Sequence, residues 1–398
     1  MQTITPEQTG FSTERLRRLD SLIERYIETG YVPGVQMLVA RHGQVFYDRC
    51  FGWMNVEQQR PTVPDTIYRI YSMSKPITTV AALMLYEQGH FHLDEPVSAF
   101  IPEFKDVQVL GENGARVPPK RPVTIHHLMT HTAGLTYDFL QTSPVDRLYE
   151  SADLRNRAVP LQEWIKKLTA LPLVNHPGTA WRYSMATDVL GYLVEVIAGM
   201  PLDTYLQKHI FEPLGMVDTS FYTPPEKADR LATLYGWGMW EIGADYVGDF
   251  TQPTQWLSGG GGLLSTMADY LRFCLMLRNR GELDGVRLLG PRTIDFMTSN
   301  HIPQAMLPLK SEPDPHYGYG FGLGVDVLLD PPAAGRMASV GEFGWGGAAY
   351  THFWIDPAED IIAIKMTQMM YRDSDGNAVP RRDMNTDLRT AVYQAFME

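Results

Sequence analysis

Apolar positions recur at helical spacing near the start of the chain, where Leu16, Leu19, Leu22, Ile23, Tyr26 and Ile27 fall on one face. Ser12 stands before them as an N-cap and Gly30 after them as a stop, so the pattern predicts a helix that covers a sheet. Two apolar-rich runs follow, 35–40 and 45–51, joined by Arg41-His42-Gly43-Gln44 in the pattern of an antiparallel hairpin. From Ile77 to Tyr86 the spacing is helical again. Between about Leu93 and Tyr222, proline-punctuated loops separate helical patterns at 161–171, 187–197 and 202–210, which predicts a mostly helical insertion. Beyond Gly259-Gly-Gly-Gly262 the text predicts a helix at 266–277 and strands at 320–327, 349–355 and 361–366. A turn at 356–360 joins the last two. Pro380-Arg381-Arg382-Asp383 reads as a solvated start to a closing helix that carries Leu388, Val392 and Phe396.

A sheet begun at the N-terminus and completed at the C-terminus, with helices inserted between, gives an α/β domain from residues 1–85 and 255–398. Residues 86–254 form a mostly helical domain beside it, and the interface of two such units is a common place for a site.

Composition narrows the function. Hydrophobic residues make up 44% of the 398 positions and charged residues 20%, the balance of an ordinary globular enzyme. A net charge of -12 argues against nucleic acid and anionic membrane as partners, since both attract clustered Lys and Arg. Small molecules are the expected partners. Cys50 and Cys274 are too few for a disulfide framework and lack zinc-site spacing. The first residues have neither a basic nor an apolar leader segment, and no run of 18 apolar residues occurs, so a cytoplasmic location is expected.

The candidate chemistry begins at Arg69-Ile-Tyr-Ser72-Met-Ser-Lys75. If a helix opens at Ser72, the serine and Lys75 share one face of its first turn, a nucleophile beside a base. The helix start adds unpaired N–H groups and positive dipole. Pro76 costs least at such a place. About one Ser-x-x-Lys match is expected by chance in a chain this long, so its partners decide. Tyr183, in Pro177-Gly-Thr-Ala-Trp-Arg-Tyr-Ser184, precedes a helix and can relay a proton between nucleophile and leaving group. In Phe343-Gly-Trp345-Gly346-Gly347-Ala348, adjacent glycines begin a strand and let backbone approach a ligand closely. An N–H there, with that of Ser72, would form an oxyanion hole. His131-Thr-Ala-Gly-Leu135 reads as support near the site. His126, His127 and His131 invite a metal reading, with His127 and His131 four apart on a helix face. Leu128 stands where a zinc protease carries glutamate, so no metal and no cofactor is expected.

Together the Ser72-Met-Ser-Lys75, His131-Thr-Ala-Gly-Leu135, Tyr183-Ser-Met185, Phe211-Glu-Pro-Leu-Gly-Met216-Val-Asp-Thr219, Gly260-Gly-Gly-Leu-Leu-Ser-Thr266 and Trp345-Gly-Gly347 blocks resemble the serine hydrolases of the class C β-lactamase superfamily. Within it they most resemble the family VIII carboxylesterases, from roughly Phe11 to the C-terminus. The resemblance implies a β-lactamase-like α/β (α+β) fold, an antiparallel sheet flanked by helices with a helical insertion. It makes Ser72 the nucleophile, Lys75 and Tyr183 the acid–base pair, and the N–H groups of Ser72 and Ala348 the oxyanion hole of an acyl-enzyme mechanism.

Two departures from β-lactamases point to ester substrates. Trp345-Gly346-Gly347 replaces Lys-Thr-Gly, which removes a cation that attracts an anionic drug, and Met185 replaces an asparagine that contacts a substrate amide. Both positions are expected to touch substrate. The expected activity is therefore hydrolysis of short-chain acyl esters. The alternatives are a β-lactamase or D-amino-acid peptidase, an acyltransferase using the same acylation, and a sensor that is acylated once without turnover.

Overall fold

The computed structural model describes residues 3–111, 113–310, 315–379 and 383–397. Pro380, Arg381 and Arg382 lie outside them. The first helix, α1, spans Thr13–Glu28, and the Ser12 side chain accepts from Arg15 N as its N-cap. Strands β1 (Gly34–Arg41) and β2 (Gln44–Asn55) pair antiparallel around His42 and Gly43, both at positive φ, the geometry of a tight two-residue turn. After the short β3 (Arg60–Pro61) the chain runs into α2 (Ser74–Glu87).

The sheet resumes far downstream with β4 (Tyr319–Phe321), β5 (Asp326–Leu328), β6 (Phe343–Gly346), β7 (His352–Asp356) and β8 (Ile361–Met366). Its order is β4-β5-β6-β7-β8-β1-β2-β3, and every pairing is antiparallel. This is the antiparallel sheet flanked by helices expected from sequence.

Burial follows the period-2 alternation of a sheet covered on both faces. Val35, Met37 and Val39 of β1 pack beneath α1 and the closing helix α5 (Met384–Tyr393). Leu38 and Ala40 face the main core instead, shared with α2, α3 (Ala186–Ala198) and α4 (Met267–Arg278). Because β1 is buried along its whole length, its sequence reads as one apolar run rather than an alternation.

Three expectations are corrected. The run 320–327 is a hairpin, not one strand, because Gly324 turns the chain at φ 76° and leaves β4 paired with β5. The strand expected at 349–355 begins only at His352, because residues 347–350 form a turn closed by Tyr350 N donating to Gly347 O. Trp345-Gly346-Gly347 therefore ends a strand rather than beginning one. The helix expected at 202–210 is α-helical only over Leu202–Leu206 and widens to a π-helical turn at Gln207–Phe211.

Candidate active site

Ser72 does not open the α-helix; it sits in the 3-10 turn Tyr71–Met73 immediately before α2. The turn is pinned from three sides. Tyr270 Oη donates to Met73 O at 2.9 Å, Leu263 N donates to Ser74 Oγ at 3.1 Å, and Tyr68–Arg69 pairs with Leu264–Ser265. Tyr71 is held at φ 43°, a left-handed conformation that costs a non-glycine residue about 1 kcal/mol or more and persists only where the surroundings enforce it. Side chains three apart meet across a 3-10 turn as they do on a helix. Lys75 Nζ accordingly reaches Ser72 Oγ at 3.2 Å.

Lys75 is fully buried, and a charge there needs polar partners to offset lost hydration. Its Nζ donates to Ser72 Oγ, to Tyr137 Oη at 3.0 Å and to the Gly260 carbonyl at 2.7 Å. Tyr183 closes the group, its hydroxyl donating to Ser72 Oγ at 2.5 Å while Lys75 Nζ lies 4.6 Å from its ring centroid. Ser72, Lys75 and Tyr183, 111 positions apart at the extremes, are thus brought into one hydrogen-bonded cluster. Burial, reinforced by Tyr183 and Asp188, holds the Tyr137 hydroxyl well above the usual phenol range. Tyr137 therefore stays a neutral hydroxyl.

Sequence reasoning missed Tyr137, the Gly260 carbonyl and Asp188. Asp188 is buried in the first turn of α3, and its Oδ1 accepts from Ser258 Oγ at 2.5 Å and from Gly260 N at 3.2 Å. Burial pushes its carboxyl up, opposed by the Lys75 charge and these hydrogen bonds. The signal available was Gly260 itself, where a Cβ would overlap Asp188 Oδ2.

Trp345 ends β6 with its ring 5.6 Å from that of Tyr183 and 5.2 Å, edge-on, from that of Phe321. A Cβ at Gly347 would overlap the Ile70 carbonyl and Thr351 Oγ1, so glycine is what lets residues 346–348 lie against the Ser72 turn. Ala348 is exposed, and among the described residues neither its N–H nor that of Ser72 donates to a protein acceptor. Met185 departs from the expectation. It is 1% exposed and packs in the main core, so it backs the site instead of presenting a surface to ligand.

The histidines do separate work. His127 completes a capping box with Thr124, and His126 Nε2 meets His301 Nδ1 at 3.1 Å. His131 lies past the end of helix Ile125–Met129 at φ 54°, so the helical spacing to His127 does not apply. Its ring supports Tyr183 at 5.0 Å, and burial, then the Lys75 charge, holds its pKa well below the usual range. Among the described residues no group of three or more His, Cys, Asp or Glu could hold a metal ion.

A serine bonded at once to a buried lysine and a tyrosine thus lies beside an antiparallel sheet. The Beta-lactamase family model matches residues 19–387, and the chain belongs to that family. Within it the chain is a family VIII type carboxylic ester hydrolase. Esterase EstB of Burkholderia gladioli is 32% identical, the alignment covering 99% of this chain and 100% of that protein. Among solved structures, EstCE1, described as a hydrolase with promiscuous acyltransferase activity, has 30% identity and a TM-score of 0.80, covering 96% of this chain and 99% of that one. Simvastatin synthase LovD from Aspergillus terreus has 25% identity and a TM-score of 0.78, covering 97% and 100%. No single helix among the described residues is long and apolar enough to cross a membrane.

Proposed function

We propose that the protein hydrolyses short-chain acyl esters through an acyl-enzyme formed on Ser72. The observation that carries this reading is the double hydrogen bond at Ser72 Oγ, to Lys75 Nζ at 3.2 Å and to Tyr183 Oη at 2.5 Å. Ser72 Oγ attacks the acyl carbonyl while its proton passes into the Lys75–Tyr183 pair. The N–H groups of Ser72 and Ala348 receive the oxyanion. Tyr183 then protonates the departing alkoxide, and water, deprotonated by the same pair, releases the acid. Trp345, Gly346 and Gly347 form the wall against which the ester lies. Its neutral ring favours uncharged substrates.

The division into a sheet domain (1–85, 255–398) and a helical domain (86–254), with the site between them, belongs to the same proposal. So does a cytoplasmic setting, supported by the free thiols of Cys50 and Cys274. A second reading, transfer of the acyl group to an alcohol, is favoured by the likeness to EstCE1 and to a synthase.

Steady-state hydrolysis of a short p-nitrophenyl ester beside a chromogenic cephalosporin, with wild type and Ser72→Ala in parallel, tests this. Ester turnover is expected to vanish in the variant while its fold is retained, with little cephalosporin cleavage by either protein. Substantial activity in Ser72→Ala means the nucleophile is another residue, and fast cephalosporin turnover restores the β-lactamase or peptidase reading. Adding a primary alcohol and measuring new ester against free acid separates transfer from hydrolysis.

A further inference from the structure

Among the described residues Lys75 has no carboxylate as a hydrogen-bond partner; its partners are two hydroxyls and one backbone carbonyl. That carbonyl belongs to Gly260, and the N–H of the same residue is held by Asp188 at 3.2 Å. Gly260 thus stands between a buried carboxylate on one side and the lysine ammonium on the other. Thr78, one turn after Lys75 on α2, ties the adjacent Gly259 carbonyl at 2.8 Å. At Gly260 a side chain would overlap the Asp188 carboxylate, so the chain admits only glycine there without displacing it.

We propose that Asp188 is a positioning residue that balances the charge on Lys75 across Gly260, and thereby sets the lower pH limit of the Ser72 reaction. The proposal rests on the reading of Ser72 and Lys75 given above. A buried cation without a nearby anion is poorly tolerated, and hydrogen bonds in series through a peptide strengthen one another in a low-dielectric interior. The start of α3 adds positive dipole at Asp188, which favours an anion there against the push of burial.

The other groups around Lys75 leave this role to Asp188. Ser72, Tyr183 and Tyr137 face it with hydroxyls, and Tyr137 is held neutral by burial. His131, behind Tyr183, is held in its neutral form by burial and by Lys75 itself. Asp138, whose charge acts on Tyr137, is tied to Arg155 at 2.6 Å, which offsets it.

Asp188→Asn removes the charge and keeps a carbonyl oxygen for Ser258 and Gly260. Loss of the negative charge beside Lys75 makes a cation there less favourable. The acidic limb of the kcat/KM profile for a short p-nitrophenyl ester is therefore expected to move down by about one pH unit, with KM little changed. A merely structural role would lower the rate at every pH and leave the limb in place. Should Asp188→Asn fail to fold, Asp188→Ser, which also removes the charge and keeps an acceptor oxygen, must move the limb the same way. Labelling each variant with an organophosphonate and locating the modified peptide keeps the two readings apart. Label on Ser72 with an unmoved limb overturns the role of Asp188 alone. Label on a different serine overturns the reading of the site and this inference with it.

Discussion

Two tyrosines touch the Ser72–Lys75 pair, and on the proposed function their geometry assigns them different consequences. Tyr183 reaches Ser72 Oγ directly at 2.5 Å, whereas Tyr137 reaches only Lys75 Nζ at 3.0 Å. Tyr183→Phe deletes one oxygen and leaves the ring, which still packs at 5.0 Å on His131, 5.1 Å on Tyr137 and 5.6 Å on Trp345. The expected cost to folding is that of one hydrogen bond, about 1 kcal/mol, so the melting temperature moves little. Proton transfer at the reacting oxygen contributes roughly 10²–10⁴-fold, or about 3–5 kcal/mol at the transition state. Ester turnover should fall by that factor, with a smaller change in KM. Tyr137→Phe leaves the serine's own bonds intact and should cost about tenfold or less. Steady-state kinetics on a short p-nitrophenyl ester, beside thermal melts of both variants, measure this. If Tyr183→Phe keeps more than about a fifth of wild-type kcat/KM while Tyr137→Phe is nearly dead, the relay runs through Tyr137 and the reasoning is wrong.

Gly347→Ala places a methyl group against the Ile70 carbonyl and Thr351 Oγ1. It should push residues 346–348 off the Ser72 turn and lower kcat by tenfold or more (roughly one missing oxyanion donor costs 10²–10³); wild-type turnover would show that the strand end need not lie so close. Burial pushes the Asp326 carboxyl up to about 7, with Arg389 opposing and Glu342 adding to it. The folded protein thus keeps a proton that the unfolded chain releases near pH 4, about 3.9 for a free Asp, and this contribution to stability is lost as pH rises from about 4 to about 7. Asp326→Asn should flatten that fall in melts at pH 5 and pH 8; an unchanged slope would place the titration elsewhere.

What the sequence disclosed of the site is what local spacing can carry. Ser72 and Lys75 are three residues apart, and that distance survives even though the α-helix begins at Ser74 and the serine stands in a 3-10 turn. Tyr183 and Trp345-Gly-Gly347 came from multi-residue blocks. Tyr137 and Asp188 did not, because their contacts are made with residues distant in sequence, 62 positions away for the Tyr137–Lys75 bond and 72 for the Asp188–Gly260 bond. A run of four glycines signals close approach but does not name the partner. The strand errors have a similar cause. Gly322-Leu-Gly-Val325 is apolar enough to read as strand, and only the positive φ of Gly324 folds it into a hairpin.

Trp345, the neutral ring on which the proposed ester preference rests, packs in the same aromatic cluster as Tyr183. Trp345 packs on Tyr183 and Phe321; Phe321 in turn packs at 5.4 Å on His131 and 5.6 Å on Trp181, and both of these flank Tyr183. Aromatic pairs of this kind contribute about 0.5–1.5 kcal/mol each beyond area burial, enough to hold the phenol in one rotamer. On the proposed function, the ring that offers no cation to an anionic substrate also helps hold the Tyr183 hydroxyl toward Ser72. A lysine there would restore the cation but withdraw one wall from Tyr183. On the proposed function, substrate charge preference and proton transfer are thus coupled through the side chain of Trp345.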